Sequence, residues 1–147
     1  IGPEHEGVLR QHAKRFAGVQ LLDVMSQSEA CSLTPDNIAV MAEWTALRSV
    51  TLSTDRLTEI PPAWGAWSEL RDFTVTPSRI TRLGEAVAKG WKKLEYLDLH
   101  ASPDLSYISE HLAAASRLQV AVLFGTPLCQ GLPGWLQGVA LCEGEEE

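Results

Sequence analysis

The sequence predicts an α/β chain: a short curved solenoid with a parallel β-sheet on its concave face, an N-terminal helical cap and a C-terminal cap. Three observations carry that expectation. Four segments fall into one register, opening at Leu47, Leu70, Leu94 and Leu118, which lie 23, 24 and 24 residues apart. Each segment has apolar residues at its first, fourth and sixth positions, the alternation of a short strand with one face inward. An apolar pair then follows each strand, so one unit cannot bury its apolar side alone and has to stack on its neighbours.

The elements follow in order. Residues 1–18 read as a capping helix, because Val8, Leu9, His12, Ala13 and Phe16 recur at helical spacing and a solenoid end otherwise exposes its core. Residues 19–136 form the solenoid, of about five turns. Its first strand holds Val19, Leu22 and Val24, with Leu33, Ile38 and Met41 on the return, in a longer unit of 28 residues before Leu47. The four regular strands place Val50 and Leu52, Phe73 and Val75, Leu97 and Leu99, and Ala121 and Leu123 inward. The returning pairs are Leu57 with Ile60, Ile80 with Leu83, Leu105 with Ile108 and Leu128 with Leu132. Residues 84–92 and 109–117 read as helical returns, whereas Ile60-Pro61-Pro62 favours an extended or turning path. Residues 137–147 complete the chain as a C-terminal cap and acidic tail. Trp44, Trp67 and Trp91 each stand three residues before a register leucine, a recurring packing position. Trp64 is off that register and is expected to be partly exposed.

The pattern resembles the leucine-rich repeat, L-x-x-L-x-L-x-x-N-x-L, whose unit runs about 20 to 29 residues. It departs at the ninth position, where Asp55, Ser78, Ser102 and Thr126 replace the usual Asn; each can still bond the backbone from within a turn. Cys129 and Cys142 bracket CQGLPGWLQGVALC at the C-terminal end. With the preceding Gly-Thr-Pro, this stretch resembles the ends of secreted or cell-surface leucine-rich repeat proteins, including oomycete-type ones. That resemblance implies a Cys129–Cys142 disulfide, worth about 3 kcal/mol in the chain-entropy account. Two buried thiols in a cytosolic protein are the alternative. Cys31 reads as a small core residue.

Length, composition and charge bound the function. The 147 residues suit one domain, and 45% apolar content is too much for a disordered chain. No apolar run is long enough to span a membrane, and no secretory leader is visible. The chain opens on Ile1, so it reads as a processed product or part of something longer. The net charge of −7 opposes nucleic-acid binding, which needs a basic stripe, although Glu143, Glu145, Glu146 and Glu147 supply much of it.

The outward strand positions read across the sheet as columns. These are Ser49-Asp72-Tyr96-Val120, Thr51-Thr74-Asp98-Val122 and Ser53-Thr76-His100-Phe124. They grade from hydroxyl-rich through charged to apolar. The expected partner-binding residues are Arg71, Asp72, Tyr96, Asp98, His100, Val120, Val122 and Phe124. Tyr96 and Phe124 would anchor the partner, ringed by Asp98 and His100. Folding of the C-terminal cap over Val120, Val122 and Phe124 is the competing reading. Asp98 and His100, two apart on one strand, read as a surface ion pair, since no second imidazole or thiol at ligand spacing makes a metal site. Hydroxyls at Thr51, Ser53, Thr74 and Thr76 read as ordinary strand formers. No phosphate-binding glycine loop, serine elbow or paired metal cluster is present, and no cofactor is expected.

The function these readings support is non-catalytic recognition of a protein partner through the concave face, within a larger extracellular or surface protein. Two other classes compete: a structural accessory subunit of a large complex, with an intracellular setting as the alternative location, and an inhibitor of a secreted enzyme, whose binding through Arg48, Arg71, Asp72 and Asp98 would depend on salt.

Overall fold

The computed structural model describes residues 20–26, 39, 41–54, 57–76, 79–115 and 117–143. The capping helix expected over 1–18, together with Cys31, Asp55 and Ser78, lies outside the described residues. Six strands form one parallel sheet: β1 (Leu21–Ser26), β2 (Ser49–Thr54), β3 (Asp72–Val75), β5 (Tyr96–Asp98), β7 (Val120–Val122) and β8 (Ala140–Leu141). Their order in the sheet is their order in the chain. Two further strands, β4 (Arg82–Leu83) and β6 (Tyr107–Ile108), make a second, two-stranded parallel sheet. Among the described residues, helices are few and short: α1 (Glu85–Gly90), α2 (His111–Ala115), and 3-10 turns at Pro62–Ala66, Pro127–Gln130 and Gly134–Leu136. The class is mixed α/β.

Strand pairing follows the sequence register. Val50 pairs with Phe73, Phe73 with Leu97, and Leu97 with Ala121. Leu22 pairs with Val50, so the longer upstream unit joins in the same register. The physical cause is the period-2 alternation, since a slip of one residue would turn every apolar side chain to the wrong face. Val50, Leu52, Phe73, Val75, Leu97, Leu99, Ala121 and Leu123 are all fully buried, as are Leu47, Leu70 and Leu94. Leu118, the first-position residue of the last unit, is only partly buried.

The returns close the core from the other side. Pro61 and Pro62 set up the first 3-10 turn, because proline fixes φ and needs no hydrogen-bond acceptor there. That turn carries Trp64 inward, where it is fully buried and stacks on Trp67 with ring centroids 4.7 Å apart. The partly exposed Trp64 expected from sequence is therefore corrected. Trp44, Trp67 and Trp91 are fully buried at their shared register. The Trp67 indole N–H donates to the Met41 carbonyl at 2.8 Å, and Trp91 donates to the Trp64 carbonyl at 2.8 Å. Each bond reaches back into the preceding unit, so these residues fix spacing as well as fill volume. At the strand ends the backbone turns through positive φ at equivalent positions, Ala101 (58°) and Gly125 (81°). Ala101 N–H donates to the Phe124 carbonyl at 2.9 Å, tying the two turns together.

The C-terminal stretch differs from a simple cover. Ala140 and Leu141 extend the main sheet as a sixth strand, Ala140 opposite Ala121 and Leu141 opposite Val122. Leu136 is fully buried, with Trp135, Val139 and Ala140 packed partly against the core. The sulfurs of Cys129 and Cys142 lie at disulfide-bonding distance, 2.06 Å.

Candidate binding face

The outward columns form as the register requires. Ser49 lies opposite Asp72, Asp72 opposite Tyr96, and Tyr96 opposite Val120. Thr51, Thr74, Asp98 and Val122 make the next row. The last row is joined by side chains. The Thr76 hydroxyl lies 3.3 Å from His100 Nε2, and the His100 ring stacks on Phe124 with centroids 4.5 Å apart.

At the centre of this face Asp98 collects donors. Its Oδ1 accepts from the His100 backbone N–H at 3.2 Å and lies 2.6 Å from His100 Nδ1, and its Oδ2 accepts from the Tyr96 hydroxyl at 3.3 Å. A carboxylate only accepts, so Nδ1 is the protonated nitrogen of this contact. In a neutral ring, Nε2 is then left to accept the Thr76 hydroxyl. The order along the face is thus Thr76, His100, Asp98, Tyr96, with Phe124 under the imidazole. Of the pair expected at the surface, Asp98 is sunk at 9% exposed, while His100 stays partly exposed. Low dielectric strengthens such a network and makes it rigid once its groups are satisfied.

Burial, and then the neighbouring Asp98 carboxylate, raise the Tyr96 hydroxyl pKa above its ordinary value. A raised folded value means that the contribution to stability is complete below the ordinary phenol range and is lost as pH rises through the folded value. Ultraviolet absorbance titration is expected to show Tyr96 ionising late. Asp98→Asn should bring that transition part of the way back, since burial, the larger cause, remains. A transition unmoved by Asp98→Asn would refute the contact.

The other expected site residues divide. Tyr96, His100, Val120 and Phe124 are partly exposed and contiguous, while Asp72 is exposed beside them. Val122 is 9% exposed. Its exposure, expected from the column, is corrected: β8 pairs alongside it and covers the edge. Arg71 is exposed one residue before β3 and helps hold the Glu69 carboxyl below its ordinary pKa, behind the dominant hydrogen bond from Lys93. It belongs to the strand-entry rim, where Lys93 Nζ lies 2.9 Å from Glu69 Oε1 across one unit. The register put Thr76 beside His100 in one column, but Thr76 read as an ordinary strand former and its hydrogen-bond contact with the imidazole was missed, because adjacency in a column does not say which side chains will bond. Half-exposed Leu141 was missed as well, although the apolar run Val139-Ala140-Leu141 before Cys142 was the available sign.

Among the described residues no group of three His, Cys, Asp or Glu side chains could hold a metal ion. Among them, no helix is long and apolar enough to cross a membrane. No protein-family model matches the chain, and no curated protein does.

Proposed function

We propose that the chain is a leucine-rich repeat solenoid, capped at both ends, that recognises a protein partner without catalysis through its outward sheet face. The partner is held at the end formed by Tyr96, His100, Val120 and Phe124, with Asp98 fixing the side chains of Tyr96 and His100. The carrying observation is the preordered ring pair: His100 is stacked on Phe124 and bonded to Asp98, yet both rings remain partly exposed. Rigid aromatic surface loses little conformational entropy on binding, which is why such groups anchor interfaces. Asp72 and Arg71 form the polar rim. The Cys129–Cys142 pair favours an extracellular or surface setting, where disulfides persist.

The test compares the chain with Tyr96→Ser, Phe124→Ser and the double variant, and with Tyr107→Ser on the second sheet as a control. Each is used to retrieve proteins from an extracellular fraction, and melting is measured in parallel. A protein held by the parent and by Tyr107→Ser, but bound about tenfold or more weakly by the face variants, is the expected result. A protein held equally by all of them would overturn the reading. Unfolding of Phe124→Ser would instead make that end part of the core.

A further inference from the structure

The outer edge of β7 is occupied by a strand only two residues long. Ala121 N–H donates to the Val139 carbonyl and Leu123 N–H to the Leu141 carbonyl, both at 2.9 Å. Leu141 stays half exposed, and Val139 and Ala140 are only partly buried against the core, so modest apolar burial supports the pairing. The net value of a backbone hydrogen bond is no larger than the entropy lost in fixing one residue, so so short a pairing is marginal by itself. What holds it is tethering at both ends: buried Leu136 before it, and Cys142 directly after it, linked to Cys129 in the 3-10 turn that follows β7.

We propose that the outer edge of β7 is a strand-docking site, kept filled in cis by β8 through the Cys129–Cys142 link. Opening that link lets the edge take an extended apolar strand from another molecule. The occupant is read from β8 itself. It runs parallel to β7 and alternates small and larger apolar residues, as Val139-Ala140-Leu141 does. It presents free carbonyls to the Ala121 and Leu123 amides. A tethered strand has a high effective concentration, and an outside strand competes only after the tether is released. Both cysteines are partly exposed and so within reach of a small dithiol. A dithiol thiolate attacks one sulfur, and the S–S electron pair leaves on the other as a thiolate. The second thiol of the reductant then displaces the first protein sulfur. The products are two protein thiols and an oxidised, cyclic reductant. This site lies on the sheet edge, and the proposal stands apart from recognition at the aromatic face.

The experiment uses the whole chain in three forms: oxidised, reduced with dithiothreitol, and Cys129→Ser/Cys142→Ser. The probe is a fluorescent peptide copying residues 137–143 with Ser at the cysteine position. On opening the link, amide exchange at Ala121 and Leu123 is expected to accelerate at least about tenfold while Thr76 and Tyr96 keep their protection. Added peptide should restore protection at Ala121 and Leu123, and should bind the oxidised chain at least about tenfold more weakly. Unchanged protection after reduction would overturn the proposal, because β8 would then need no tether. Lost protection that saturating peptide fails to restore would overturn it as well. So would loss of protection at Thr76 and Tyr96, since the link would then be holding the whole fold.

Discussion

Replacing Trp91 with Ala is expected to lower the unfolding free energy by about 3–5 kcal/mol, the range for removing a large buried aromatic side chain. Trp91 is fully buried, its ring lies 4.7 Å from that of Phe73, and its N–H reaches the carbonyl of Trp64 in the preceding unit. Two effects therefore add: a cavity between units, and loss of a buried hydrogen bond that spans them. Trp91→Phe separates the two. It keeps most of the ring volume and removes the donor, so it should cost only about 1–2 kcal/mol. Urea unfolding at unchanged m value measures both variants. If the Phe variant lost as much as the Ala variant, the hydrogen bond and not the packing would dominate. If Trp91→Ala lost less than about 1 kcal/mol, the residue would not be packed between units at all.

That position was legible in the sequence because it repeats. Trp44, Trp67 and Trp91 precede their leucines by the same three residues, and a repeat turns one packing site into several. The inward strand residues were legible for the same reason, and the outward columns came with them, since fixing one face of a strand fixes the other. Trp64 was not legible: its burial depends on the 3-10 turn begun by two prolines, and turn geometry leaves no period to count. The second sheet was also invisible, because β4 and β6 have two residues each and alternation needs more. At the candidate face, the sequence put Tyr96, Asp98 and His100 on one side of one strand. It could not say that Asp98 would sink and collect three contacts, or that Thr76 and Phe124 would close on the imidazole from opposite neighbours. Those bonds join units, and only the stacked structure determines their distances.

A methyl group added at Gly90 is expected to do damage out of proportion to its size. An ideal Cβ there would stand 1.9 Å from the Gly65 carbonyl oxygen, 2.6 Å from its carbon and 2.8 Å from its Cα. These are backbone atoms and cannot rotate away. At Gly65 the crowding is reciprocal, since a Cβ would lie 2.7 Å from the Ala86 carbonyl oxygen. The last residue of α1 and the turn Pro62–Ala66 thus meet backbone to backbone, and this contact sets the distance across which Trp91 reaches Trp64. Intrinsic helix propensity opposes the expectation, as Ala is favoured over Gly within a helix by about 1 kcal/mol. Overpacking costs about 1–3 kcal/mol when side chains can yield, and more when backbone must move, so the steric effect wins. Gly90→Ala should therefore destabilise by about 2 kcal/mol net, and Gly90→Val by more, since β-branching adds bulk and removes the propensity gain. Gly138→Ala is the matched control, with nothing within 4 Å of its Cβ and an expected change within about 0.5 kcal/mol. Thermal and urea unfolding of the three variants decide the matter. A Gly90→Ala protein as stable as the parent would mean that α1 and the first 3-10 turn stand further apart, and the Trp91–Trp64 hydrogen bond could not then have the length that makes it a brace between units.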